Sequence, residues 1–183
     1  MIYGDDDEYH LLGLALIAAQ RVEFVLYGIA SHAAHMPAAQ KEKRFRDLTP
    51  EEFLRGDAGE LKATLGQLVE AFGDAFLIRT PDLIAFYKDR NLIAHDYVRL
   101  FRFKFAGASA REDGRGFLID FIRRAVHWET VLRGLLAELI QCAAVKEGRG
   151  DEFSPTSGDL ERVSAYREHA GKYLASKNTS QQG

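Results

Sequence analysis

The sequence predicts an all-α fold, namely an antiparallel helical bundle of four to five helices. Proline is scarce, with 4 in 183 residues, whereas leucine, alanine, glutamate and arginine are frequent. Four long segments repeat apolar residues at the spacing of one helix face. Because such faces are buried by packing against each other, we expect residues 1–147 to form the bundle. Residues 148–183 are predicted to add a linker, an amphipathic helix and a disordered tail.

The first half of the chain contains signals for three helices. Apolar residues at helical spacing predict a helix over residues 8–36, and Pro37 marks its end. Thr49 and Glu52 have the spacing of a capping box, which predicts a short helix after a basic connector. A further amphipathic helix is predicted over residues 60–75.

A third long helix starts at a clear signal in the middle of the chain. Thr80 is suited to cap it and Pro81 to take its first position. After it, residues 98–105 alternate phenylalanine with arginine and lysine, which is a strand pattern. A single strand has no partner in a helical protein, so we expect a helical or extended continuation there, followed by a loop over 106–116.

Two amphipathic helices are predicted in the C-terminal part, over residues 117–146 and 159–176. A glycine-rich linker separates them. The apolar stripe of the last helix is expected to pack against other apolar residues, either those of its own bundle or those of a partner chain.

Several features predict a cytoplasmic protein without a metal or another cofactor. The single Cys142 cannot form an internal disulfide and, among apolar neighbours, is expected in the core. The N-terminus is acidic, unlike a signal peptide, and the first helix is interrupted by too many polar residues for a membrane span. His32 and His35 lie one helical turn apart, but neither a carboxylate nor a cysteine stands beside them, so no metal site is predicted.

Charge is distributed unevenly along a chain whose net charge is -3. Residues 1–60 contain 11 acidic and 6 basic residues, and residues 88–133 contain 6 acidic and 10 basic ones. The basic part permits a polyanion nearby. An ordinary solvated face explains it about equally well.

The sequence from Arg90 to Tyr97, R-N-x3-H-x-Y, is the strongest candidate for a functional site. On a helical wheel Arg90, Asn91, His95 and Tyr97 fall within an arc of roughly 160°. The apolar Ile93 points away from that arc. The pattern therefore predicts a polar face on a helix whose other face is buried.

The residue types in this polar face fit cleavage of an RNA phosphodiester. The guanidinium of Arg90 can stabilise the extra negative charge of a phosphorane-like transition state. His95 can move the proton of a 2′-hydroxyl or of the leaving oxygen, and Asn91 can orient its imidazole. The reaction needs no metal, and a homodimer would bring two copies of a sparse site together.

A purely structural interpretation of the same residues remains open. Cations near a helix C-terminus favour its dipole and its free carbonyl groups, and Arg90 and His95 would do so. An arginine five residues before a histidine is expected roughly 0.5 times by chance in this chain, and roughly 0.02 times with the added tyrosine. The full pattern is therefore moderately specific.

The arrangement resembles the HEPN superfamily, whose members have R-x4-6-H near the end of the third helix of a helical bundle. Arg90, Asn91 and His95 match that motif, and Tyr97 matches the R-x4-H-x-Y form of HEPN toxins encoded beside a minimal nucleotidyltransferase. The resemblance implies a metal-independent endoribonuclease of toxin–antitoxin, defence or stress systems. It implies a homodimer with Arg90 and His95 of both chains at the cleft.

The resemblance also implies a partner and a modification site, and the basic residues that follow the motif are further candidates. Tyr97 would be the candidate modification site, receiving AMP from the nucleotidyltransferase antitoxin. Arg99, Arg102 and Lys104 are candidates for RNA contact. The alternative function is a HEPN module that binds RNA, a nucleotide or a protein partner without cleaving.

Overall fold

The chain is mostly helical in the part described by the computed structural model, which comprises residues 6–33, 65–101, 113–152 and 154–180. The all-α prediction is thus confirmed for these residues. The α-helices are α1 (Asp6–Ala33), α2 (Leu65–Phe72), α3 (Pro81–His95), α4 (Tyr97–Phe101), α5 (Gly114–Lys146) and α6 (Ser157–Ser180), with a 3₁₀ turn at Gly150–Glu152. The short helix predicted after Thr49 lies outside the described residues.

The core is built mainly where α1 packs along α5, and α3 closes it from the side. Both long helices bury an apolar stripe at the helical spacing seen in the sequence. Phe86 of α3 is fully buried, and its ring stacks on Phe121 of α5 with a centroid separation of 4.7 Å. The buried stripes consist of Ala15, Ala19, Val22, Leu26 and Ile29 on α1, and of Leu118, Phe121, Ala125, Trp128 and Leu132 on α5.

Helix α1 is also long and apolar enough to cross a membrane, with a mean hydropathy of 1.5 in its most apolar window. Core helices of soluble proteins meet the same criterion, so this is weak evidence. Residence in the cytoplasm stays a prediction.

The start of α3 follows the predicted signal. The Thr80 hydroxyl accepts a hydrogen bond from the backbone N–H of Leu83 at 3.2 Å, and Pro81 is the first helical residue. The tight turn before it requires Gly73, because an added Cβ would lie 2.3 Å from the Val69 carbonyl oxygen. Helix α2 accordingly ends at Phe72, three residues before the predicted end.

The segment after α3 is partly described. Its backbone turns at Asp96 and continues as the helix α4, so a helical continuation is confirmed as far as Phe101. The rest, 102–112, lies outside the described residues. Helix α5 starts at Gly114, three residues before the predicted start, because the Asp113 carboxylate accepts a hydrogen bond from the Gly116 N–H at 2.6 Å and caps it.

The last helix packs on its own chain. At Gly134 the backbones of α5 and α6 come close together, because a Cβ added there would lie 2.0 Å from the Arg162 carbonyl oxygen. Tyr166 is buried and donates a hydrogen bond to the Phe76 carbonyl oxygen at 3.1 Å. The helix runs to Ser180, so the disordered tail predicted from residue 177 is wrong for 177–180, where Lys177 pairs with Asp74 at 3.1 Å.

Cys142 is exposed, so its predicted place in the core is wrong. Its neighbours Gln141 and Val145 are exposed too, whereas Ala144 is buried, so Cys142 lies on the exposed side of this end of α5.

Candidate active site at the end of helix α3

Arg90, Asn91 and His95 lie on the last turns of α3. Asn91 and His95 are exposed, on the side of the helix opposite the buried Ile93. The side chain of Arg90 is 29% exposed and points within about 60° of Ile93. Arg90 therefore lies at the boundary between the exposed and the buried face.

Two neighbours hold the guanidinium of Arg90. It forms an ion pair with Glu23 on α1, with Nε 2.6 Å from Oε1, and the Glu23 side chain is only 15% exposed. Its Nη1 donates to Oδ1 of Asn91 at 3.2 Å. Arg90 thus joins α3 to α1 and has a defined orientation at the surface.

Tyr27 follows Glu23 by one turn of α1 and belongs to the same polar cluster. Burial raises the pKa of the Tyr27 hydroxyl, the negative charge of Glu23 raises it further, and the positive charge of Arg90 opposes the shift. The hydroxyl therefore lies within electrostatic range of both members of the ion pair.

His95 is the last residue of α3, and the backbone N–H of Asp96 closes the helix by donating to the Leu92 carbonyl oxygen at 2.8 Å. The predicted hydrogen bond from Asn91 to the His95 imidazole is absent among the described residues. The Asn91 amide oxygen binds the adjacent guanidinium instead, because a charged donor forms the stronger bond.

Tyr97 does not share the exposed face, so its predicted place on the polar face of the helix is wrong. The turn at Asp96 (ψ -3°) interrupts the helix and changes the direction of the next side chain. Tyr97 is only 4% exposed, and its ring stacks on Phe101 at 4.7 Å. Its hydroxyl donates to Oε1 of Glu8 at 2.6 Å and lies against Gly114, where an added Cβ would come within 2.5 Å.

The predicted RNA-contacting residues are only partly described. Arg99 is exposed, and its Nε and Nη2 donate to Oδ1 of Asp96 at 3.0 and 2.8 Å. Arg102 and Lys104 lie outside the described residues. Of the three predicted RNA-contacting residues, the one that the structure describes is thus paired with a carboxylate.

Glu23 was not singled out by sequence reasoning, although a signal for it exists. It is a carboxylate inside an apolar helix, between the buried Val22 and Val25. Such a residue needs a partner, because burying an unpaired charge is costly. The identity of that partner depends on how α1 packs against α3.

The site consists of one oriented arginine and one exposed histidine five residues apart on a single helix. It can bind an anion and transfer a proton. In the described parts of the chain, no three histidine, cysteine or acidic residues are grouped to hold a metal ion, and His35 lies outside them. No protein-family model, curated protein or solved structure matches the chain.

Proposed function

We propose that this protein is a metal-independent endoribonuclease of HEPN type, built as an antiparallel helical bundle and acting as a homodimer in the cytoplasm. One observation carries the proposal: the guanidinium of Arg90 is anchored by Glu23 near the end of α3, and the exposed His95 follows five residues later on the same helix. An oriented cation and a side chain that can accept and donate a proton are what metal-free phosphodiester cleavage needs.

In the proposed reaction, the ribose 2′-oxygen attacks phosphorus and the bond from phosphorus to the 5′-oxygen breaks. His95 of one protomer accepts the 2′-hydroxyl proton. His95 of its partner, in the protonated form, donates a proton to the leaving 5′-oxygen. Arg90 stabilises the charge on the non-bridging oxygens. The products are a 2′,3′-cyclic phosphate and a 5′-hydroxyl, and the substrate must be RNA because DNA lacks the 2′-hydroxyl.

Asn91 supports the site by holding Arg90, since its amide oxygen binds that guanidinium. Tyr97 remains the candidate site at which a nucleotidyltransferase antitoxin attaches AMP. Its hydroxyl must first leave Glu8, because that hydrogen bond occupies it at 2.6 Å. In this scheme the modification acts from outside the Arg90–His95 face.

The alternative is a HEPN-type module that binds RNA, a nucleotide or a protein partner without cleaving. One observation favours it: Arg90 and Arg99 are each paired with a carboxylate. Pairing lowers the positive potential that attracts a polyanion.

The deciding experiment is cleavage of a mixed-sequence RNA in EDTA by the wild type and by Arg90→Ala and His95→Ala. We expect each substitution to lower the rate by about a hundredfold or more. His95→Ala should leave the melting temperature unchanged, whereas Arg90→Ala should lower it, because the largely buried Glu23 loses its partner. Arg167→Ala and His127→Ala are matched controls, because both side chains are exposed and lie on other helices. Both controls should retain the wild-type rate.

The other outcomes separate the remaining interpretations. Wild-type protein that binds RNA without cleaving it, and whose binding survives His95→Ala, would indicate the binding module. Mass spectrometry of the wild type must exclude an adduct on Tyr97 before inactivity is accepted. Equal losses of melting temperature and helicity in both variants, with no effect on RNA, would indicate a structural role.

A further inference from the structure

We propose that Glu23 is a positioning residue, whose carboxylate orients Arg90 so that the terminal nitrogens of the guanidinium receive an RNA phosphate. The inference rests on the proposed function and adds a residue from α1 to a site otherwise confined to α3. Glu23 would act through Arg90 and would not touch the substrate.

The contact between Glu23 and Arg90 is more shielded than the ion pair of Asp96 with Arg99. The two side chains are 15% and 29% exposed, whereas Asp96 and Arg99 are 44% and 60% exposed. Shielded ion pairs are less weakened by solvent and salt than exposed ones. The Nε and Oε1 atoms are also only 2.6 Å apart. Glu23 therefore restricts the guanidinium more than a surface ion pair would.

The guanidinium nitrogens that this contact uses determine which N–H donors of Arg90 remain for a ligand. A guanidinium has five N–H donors and binds phosphate best with two nitrogens along one edge. Glu23 occupies Nε and Asn91 occupies one donor of Nη1. The terminal edge formed by Nη1 and Nη2 keeps donors for a phosphate. A carboxylate on Nε thus selects the terminal edge as the binding edge.

The same geometry distinguishes positioning from inhibition. An inhibitory carboxylate would compete best by bridging both terminal nitrogens, as a phosphate does. The shortest contact of Glu23, which lies on a neighbouring helix, is with the inner nitrogen. Tyr27, whose hydroxyl lies within electrostatic range of the pair, marks the same polar contact between α1 and α3. The pair is therefore part of the fold and leaves the outer edge of Arg90 to the substrate.

The test compares Glu23→Ala, which removes the anchor, with Glu23→Gln, which keeps an acceptor for Nε and removes the charge. Asp89→Ala is the matched control. Asp89 is the neighbour of Arg90 on α3, and it forms a similarly shielded ion pair with Arg124 at 2.8 Å. For each variant we would measure kcat and KM on RNA in EDTA, affinity for a 2′-O-methyl RNA that cannot be cleaved, and the melting temperature.

We expect Glu23→Ala to lower kcat by about tenfold to a hundredfold, because a misplaced catalytic group costs about that much. Glu23→Gln should stay within about threefold of the wild type, since a neutral acceptor still orients the side chain. Asp89→Ala should lower the melting temperature comparably but leave kcat within about twofold. Unchanged or higher activity of Glu23→Ala, or an equal kcat loss in Asp89→Ala, would overturn the inference.

Failure of the nuclease proposal is recognised separately. If the wild type binds 2′-O-methyl RNA but cleaves no RNA, the nuclease proposal fails, and the affinities decide the role of Glu23. Positioning then requires Glu23→Ala to weaken binding by about fivefold or more while Glu23→Gln and Asp89→Ala do not. Equal affinities, or no binding by the wild type, would overturn the inference as well.

Discussion

The two ends of α3 differ in how firmly the rest of the chain holds them. At the first end, Thr80 caps the helix, and the preceding turn is tied to α6 by Tyr166 and Tyr173, whose hydroxyls donate to Phe76 and Asp74. At the last end, Asn91 and His95 are exposed, and the ion pairs of Arg90 with Glu23 and of Asp89 with Arg124 join this end to α1 and α5.

The difference teaches where stability and chemistry reside in this chain. A helix is rigid over a few turns, so a fixed start also fixes the direction of side chains at its end. The exposed end can then present polar groups that contribute little to stability. Substitutions at the first end should lower the free energy of unfolding, whereas substitutions at the last end should leave it nearly unchanged.

The largest effect on stability is expected where α6 meets α5. Gly134→Ala places a Cβ 2.0 Å from the Arg162 carbonyl oxygen, so the two helices must separate. We expect a loss of about 2–3 kcal/mol, measured by urea unfolding. Gly171→Ala is the control, because nothing lies within 4 Å of the added Cβ, and it should be neutral or stabilising. Equal losses of stability in both variants would mean that the contact between α6 and α5 does not help to hold the first end of α3.

Tyr166→Phe tests the hydrogen bond that ties α6 to the turn before α3. It removes the donor to the buried Phe76 carbonyl at 3.1 Å but keeps the ring. The carbonyl group left without a partner should cost about 1–2 kcal/mol in urea unfolding. Cleavage of RNA should continue at the wild-type rate. A stability change below about 0.3 kcal/mol would mean that water replaces the hydroxyl.

The cap itself is tested by Thr80→Ala, which removes the acceptor for the Leu83 N–H. We expect a loss of about 1 kcal/mol, and Thr80→Ser should recover most of it because serine caps equally well. Thermal unfolding of the three proteins measures the difference. Equal losses in both variants would point to the threonine methyl group as the important contact.

Asp74 predicts a smaller, pH-dependent effect. Hydrogen bonds from Tyr173 and Lys177 lower the pKa of Asp74 to about 2. A carboxyl group whose pKa is depressed by folding stabilises the fold above its unfolded pKa of about 4, and this contribution is lost as pH falls towards 2. Asp74 is about half exposed, so the contribution at neutral pH should stay below about 1 kcal/mol.

Tyr173→Phe removes the largest cause of this shift. The Asp74 pKa should therefore rise towards its usual value, and the melting temperature should fall less steeply between pH 4 and pH 2 than in the wild type, as the linkage relation requires. Carboxyl NMR titration and calorimetry measure both. An unchanged Asp74 pKa would contradict the role given to Tyr173.

The smallest effects are expected at the last end of α3. Asn91→Ala and His95→Ala remove exposed side chains, and each should change the free energy of unfolding by less than about 0.5 kcal/mol. A loss above about 1 kcal/mol in either variant would show that this end also contributes to stability, and the contrast between the two ends would fail.

Local signals in the sequence predicted part of this site, and tertiary packing decided the rest. Thr80 and Pro81 are adjacent to the helix that they start, so their role can be read from the chain. The ion pair of Glu23 with Arg90 joins distant residues and depends on how α1 lies beside α3. Tyr97 was placed wrongly because a single turn at Asp96 moves it from one side of the helix to the core.

The close fit of Gly114 against the Tyr97 hydroxyl has a consequence for any group attached to that oxygen. Even one added carbon atom on Gly114 would come within 2.5 Å of it, so the closed arrangement has no volume for a phosphoryl group. Attachment therefore requires the Tyr97 hydroxyl to move away from Gly114 at the start of α5 and from Glu8 at the start of α1. A group attached to Tyr97 would therefore favour a conformation in which these contacts are open. Faster hydrogen exchange at the start of α1 would report that conformation.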